Sequence, residues 1–139
     1  LNVVGSSGWL EFFADGANAG FFEKAITDTE RLIVPTISLL EVFKRVLQQR
    51  GEDAALQAVA HMRQGSVVAL DADLALAAAH VGVAYQLPLA DSVMLVTARR
   101  YAAILWTQDA DFEGIEGVRY IAKRSEAAPP RPKGPRRRG

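Results

Sequence analysis

Four carboxylates are the side chains of this sequence best placed to do chemistry. Asp109 and Asp111 fall in Thr107-Gln108-Asp109-Ala110-Asp111-Phe112, directly after the apolar run Ile104-Leu105-Trp106-Thr107. In an open parallel α/β sheet, ligands gather beyond the carboxyl ends of the strands, so acids at this point are positioned to meet one. The same position suits a cap for the short helical turn containing Phe112, and spacing alone leaves both readings open. Asp91 opens a helix in Leu87-Pro88-Leu89-Ala90-Asp91-Ser92, and the next four residues, Val93-Met94-Leu95-Val96, occupy every side of that helix. An acid in such apolar company either caps the helix, where the macrodipole favours negative charge, or reaches a metal ion that offsets the cost of a partly buried charge. Glu41 lies opposite the helical stripe Leu39, Leu40, Phe43, Val46 and Leu47, with Arg45 one turn further on, the spacing of an ordinary surface ion pair.

The elements that must position these acids alternate. Asn2-Val3-Val4 reads as a strand, Gly5-Ser6-Ser7-Gly8 as a tight turn, and Trp9-Leu10-Glu11-Phe12-Phe13 as a helix start. Residues 31–34 form a second strand closed by Pro35, with Thr36 or Ser38 available to cap a helix running to about Arg50 and ended by Gly51. A helix over 52–64 stops at Gly65, and Val67-Val68-Ala69-Leu70 makes a third strand. An alanine-rich helix begins near Asp71 or Asp73 and fails before Pro88; a further helix covers about 90–101. Ile104–Thr107 and residues 118–121 complete the strands. Strands alternating with helices predict a parallel sheet covered on both faces.

Half of the 139 residues are apolar, enough for one compact domain with a core of its own. There is no cysteine, so thiol nucleophiles, zinc-thiolate sites and disulfides are excluded, and the composition suits a reducing cytoplasm. His61 and His80 stand alone within helical stretches and read as helix-face residues. No apolar run approaches the roughly 20 residues that span a bilayer, so no membrane association is expected. The zero net charge hides an asymmetry: residues 125–139 carry five basic side chains against Glu126, leaving 11 basic and 15 acidic groups, a net of −4, in the body. That Pro- and Arg-rich segment has no large apolar side chain and is expected to be a disordered tail. A nucleic-acid binder would show a basic folded face, whereas metal-binding carboxylates explain an acidic one.

Four segments, taken in order, carry a family resemblance: Val3-Val4-Gly5-Ser6-Ser7-Gly8-Trp9-Leu10-Glu11, Pro35-Thr36-Ile37-Ser38-Leu39-Leu40-Glu41-Val42, Leu87-Pro88-Leu89-Ala90-Asp91-Ser92 and Trp106-Thr107-Gln108-Asp109-Ala110-Asp111-Phe112. Their order and spacing resemble the PIN domain, and most closely the VapC toxins of bacterial toxin-antitoxin pairs. The resemblance implies a three-layer α/β/α fold over residues 1–124, with a central parallel sheet of four to five strands. It implies a metal-dependent endoribonuclease that hydrolyses RNA phosphodiester bonds with an activated water, forms a homodimer and is silenced by a cognate VapB-type antitoxin. Glu41, Asp91 and Asp109 take metal-site roles in that picture, Asp111 completes the catalytic set, and Ser7 or Thr107 gives hydrogen-bonding support. Mg²⁺ or Mn²⁺ suits such oxygen ligands. Gly5 departs from the pattern, standing where the family has its first aspartate. The departure implies weakened metal binding and severely reduced cleavage, or a PIN fold retained as a protein- or RNA-binding module.

Overall fold

The structure, a computed structural model, describes residues 1–124; the tail expected over 125–139 lies outside the described residues. Five strands, β1 (Asn2–Val4), β2 (Leu32–Pro35), β3 (Ser66–Val68), β4 (Ile104–Thr107) and β5 (Val118–Tyr120), form one sheet in the order β3-β2-β1-β4-β5. Every pairing is parallel, with Val3 beside Ile33 on one side and Leu105 on the other. Among the described residues, six α-helices cover it: α1 (Ser6–Phe13), α2 (Ala19–Ile26), α3 (Thr36–Arg50), α4 (Glu52–Met62), α5 (Ala72–Tyr85) and α6 (Leu89–Arg100).

The three layers follow from strand periodicity, because successive side chains point to opposite faces. Val4, Leu32, Val34 and Trp106 pack with Trp9, Phe22, Ile26, Val42 and Met62 under α1–α4. Val3, Ile33 and Leu105 face the other way, onto Met94, Leu95 and Ala98 of α6. Burial on both faces is why the central strands are unbroken apolar runs. Residues 92–98 of α6 are all buried, as a helix apolar on all sides requires. No single helix among the described residues is long and apolar enough to cross a membrane.

Several boundaries depart from expectation. Residues 5–8 are not a turn: Gly5 is extended and α1 begins at Ser6, so the helix starts directly at the strand's end. Neither Thr36 nor Ser38 caps α3, because the helix begins at Thr36 itself behind an extended Pro35. Thr36 Oγ1 instead accepts a hydrogen bond from the Leu70 backbone N–H (3.3 Å), and the buried Ser38 hydroxyl has no partner among the described residues. β3 lies over 66–68, not 67–70, and α2 was not anticipated. The buried line of α3 is Ser38, Val42 and Val46; Leu40 and Leu47 are exposed, so the helix is rotated relative to its predicted stripe. That rotation turns Glu41 from a solvated face to a half-buried edge.

Two glycines separate tight from open packing around α1 and α2. A methyl group added at Gly8 would meet the Phe22 ring at 2.6 Å and Val4 Cγ1 at 2.9 Å, whereas one added at Gly20 would meet nothing within 4 Å. Gly8→Ala is expected to lose about 1–3 kcal/mol through overpacking. Gly20→Ala should be neutral or gain up to about 1 kcal/mol. Urea unfolding of both variants checks the contrast.

Candidate metal centre

The sheet order reverses at β1, which is flanked by β2 on one side and β4 on the other. This switch point is where open α/β sheets bind ligands. β1 runs through Gly5 into α1, and β4 runs through Gln108 and Asp109 into a 3-10 turn over Ala110–Phe112. The Gly5 N–H donates to the Trp106 carbonyl (2.9 Å), tying the two strand ends together. Beyond them opens a cavity of about 730 Å³ whose walls include Gly5, Ser6, Ser7, Glu41, Asp91, Thr107 and Asp109.

Each acid arrives on a different element. Asp91 sits in the first turn of α6 and is half-buried. Asp109 does cap the 3-10 turn: its Oδ1 accepts from the Asp111 N–H at 3.0 Å, and its own N–H donates to Thr107 Oγ1 at 3.0 Å. The cap engages one carboxylate oxygen and sets the carboxylate's direction, so capping and ligation are compatible. One oxygen from each of Asp91, Asp109 and Asp111 lies within 4.8 Å of the others. An octahedral Mg²⁺ with oxygens at roughly 2.0–2.1 Å separates opposite ligands by about 4.2 Å, so this all-oxygen set fits such an ion after a small closure.

Glu41 lies on the same cavity but outside that tight group. The expected Glu41–Arg45 ion pair does not occur among the described residues. Ser6 Oγ donates to Glu41 Oε1 at 2.6 Å instead. Support therefore comes from Ser6, one residue from the expected Ser7, because starting the helix at Ser6 turns that hydroxyl inward. Ser7 lines the cavity, and its carbonyl accepts from Gln108 Nε2 at 3.4 Å. Thr107 meets the site through the Asp109 backbone N–H, which donates to its Oγ1.

A buried amide pair behind the site escaped sequence reasoning. Asn18 Nδ2 donates to Gln108 Oε1 (2.8 Å) and to the Ala122 carbonyl (3.1 Å), while the Asn18 N–H donates to Glu11 Oε2 (2.7 Å). These bonds fasten the segment bearing Asp109 to α1 and α2. The only sequence signal was a glutamine adjoining an acid, which by itself carries no geometry.

The cluster is electrostatically uneasy. Burial pushes the Asp91 carboxyl up to about 7 from an ordinary value near 3.8; the adjoining Asp109 carboxyl, and the charges of Glu41 and Asp111, push the same way. The folded protein thus holds a proton between about pH 4 and 7 that the unfolded chain has released, and its stability falls as pH rises through that window. In metal-free buffer, Asp91→Asn should gain stability over the parent at pH 8 relative to pH 5. Urea midpoints check this, and an equal difference at both pH values would contradict it.

A position-5 side chain has room. A Cβ at Gly5 would meet Thr107 Oγ1 at 3.4 Å and the Trp106 carbonyl at 3.6 Å, ordinary contact distances, and Gly5 is part of the wall of the cavity that Glu41, Asp91 and Asp109 also line.

Comparisons with known proteins agree with this architecture. Solved structures with similar folds include a toxin-antitoxin complex from Klebsiella pneumoniae (TM-score 0.72, 19% identity, covering 85% of this chain and 95% of that one). The sarcin-ricin-loop-cleaving toxin VapC20 of Mycobacterium tuberculosis is similar at TM-score 0.68 and 19% identity, covering 84% and 95%. DNA-bound VapBC from Salmonella typhimurium is similar at TM-score 0.67 and 15% identity, covering 87% and 96%. At such identities the likeness is one of fold. No curated relative matches at the sequence level. The PIN domain profile matches residues 3–118, most of the chain, and this chain therefore belongs to the PIN domain family.

Proposed function

We propose that this chain is an endoribonuclease toxin of the VapC type that uses Mg²⁺ or Mn²⁺, acts in the cytoplasm and is attenuated by the glycine at position 5. The observation that carries the reading is the convergence of Asp91, Asp109 and Asp111 within 4.8 Å at the sheet's switch point, with Glu41 on the same cavity. Carboxylates crowded into a half-buried site repel one another, and a divalent cation relieves that repulsion. When bound, such an ion supplies an activated water and charge stabilisation at the scissile phosphate. The chain's own part is positional: Ser6 holds Glu41, Thr107 and the cap hold Asp109, and α6 presents Asp91 from its first turn.

Partners are proposed on the same footing. Similar folds are found in a toxin-antitoxin complex and in VapBC, which supports a VapB-type antitoxin as partner. On α5, Leu76 and Val83 are 68% and 81% exposed, an apolar surface in keeping with a homodimer or a bound antitoxin.

Gly5 favours a second reading, a PIN fold retained for binding. The two separate on restoring the acid. Gly5→Asp is expected to fold and to raise Mn²⁺-dependent RNA cleavage by about tenfold or more, equivalent to at least ~1.4 kcal/mol. Adding Asp109→Asn to that variant should abolish the gain. A folded Gly5→Asp protein with no cleavage above the parent favours the binding module.

A further inference from the structure

Along α3 the acidic end of the cavity gives way to a basic one. Lys44 and Arg45 follow Glu41 by one helical turn, a rise of about 5.4 Å, and both line the cavity. Both are exposed, and among the described residues neither forms an ion pair. Arg45 does not take up Glu41, its neighbour one turn back, which Ser6 engages instead. A site built only to hold a cation has no use for two uncompensated positive charges at its wall. An anion that must approach a cluster of acids does, and a phosphodiester chain is such an anion: one phosphate lies at the acids while its neighbours need counter-charge.

We propose that Lys44 and Arg45 are substrate-binding residues that grip the phosphates beside the scissile one, setting the register of a single RNA strand laid along α3. This rests on the nuclease reading above. Phosphate contacts of this kind position a strand without reading its sequence. The volume of about 730 Å³ falls among small-ligand sites of roughly 300–1,000 Å³, room for nucleotide units of a single strand. Leu40 and Leu89, 62% and 80% exposed on the cavity's border, offer apolar contact to a base.

The experiment measures binding of the parent chain, Lys44→Ala, Arg45→Ala, the double variant and Arg63→Ala to a fluorescent single-stranded RNA oligonucleotide, by anisotropy across a salt series. Arg63 follows α4 and does not line the cavity, so its removal matches the charge change elsewhere. Each cavity substitution should make the slope of log K against log salt shallower by about 0.7, and the double variant by about 1.4, with Arg63→Ala unchanged. An unaltered slope in the double variant, or the same loss in Arg63→Ala, overturns the grip while leaving the nuclease reading intact. If the parent binds no RNA and Gly5→Asp neither binds nor cleaves it, both fail. Equal binding of poly-glutamate, lost in the same variants, would mark the surface as a protein-docking face and overturn the RNA assignment.

Discussion

Mutual repulsion among carboxylates gathered at one partly buried site is the constraint on which the rest of this structure depends. The half-buried Asp91 and Asp109 and the exposed Asp111 approach within 4.8 Å, and burial first, then the neighbouring acids, pushes the Asp91 carboxyl up to about 7. A fold does not gather such groups for its own stability, since unpaired buried charge is destabilising. The surrounding architecture makes sense as the means of holding them in place against that repulsion. The strand order reverses at β1, and the acids approach the resulting crevice from α3, α6 and the end of β4.

Holding them takes specific bonds. Ser6 fixes Glu41, Thr107 fixes the Asp109 backbone, and the Asn18–Gln108 amide pair anchors the segment between β4 and the 3-10 turn to the opposite layer. The packing beneath is equally particular: Gly8 lets α1 lie against Phe22 and Val4, which brings the start of α1 up to the end of β1. Position 5 lies at that junction. Its backbone is extended and hydrogen-bonded to β4, a geometry any residue adopts, so the glycine there is not demanded by the fold.

Much of this was legible in the sequence, for physical reasons. Val3-Val4, Ile33-Val34 and Leu105-Trp106 are buried on both sheet faces, and such runs announce central parallel strands. Asp91 and Asp109 were legible because each adjoins an unmistakable element. Helical periodicity alone makes Glu41 a surface ion-pair partner, where the resemblance implies a metal-site role, because a helical wheel ranks faces by apolarity, and α3 exposes Leu40 and Leu47 while burying Ser38. The error is a rotation about the helix axis, which only tertiary packing sets. Ser6 was missed for a related reason: the helix begins at the strand's end with no capping signal, and one residue of offset decides which hydroxyl faces Glu41. α2 went unseen although Ala19, Phe22, Ala25 and Ile26 fall at helical spacing, because the segment is only eight residues long and carries Gly20, a poor helix former.

The central claim is that Gly5 faces a metal site formed by Asp91, Asp109 and Asp111. Calorimetric titration of Mn²⁺ into the parent chain and Gly5→Asp, side by side at matched pH and salt, tests it most directly. Tighter binding by the restored protein, with unchanged folding, is the predicted result. Identical weak binding by both proteins would contradict it, because a carboxylate added where the structure leaves room on that cavity cannot be indifferent to an ion held there.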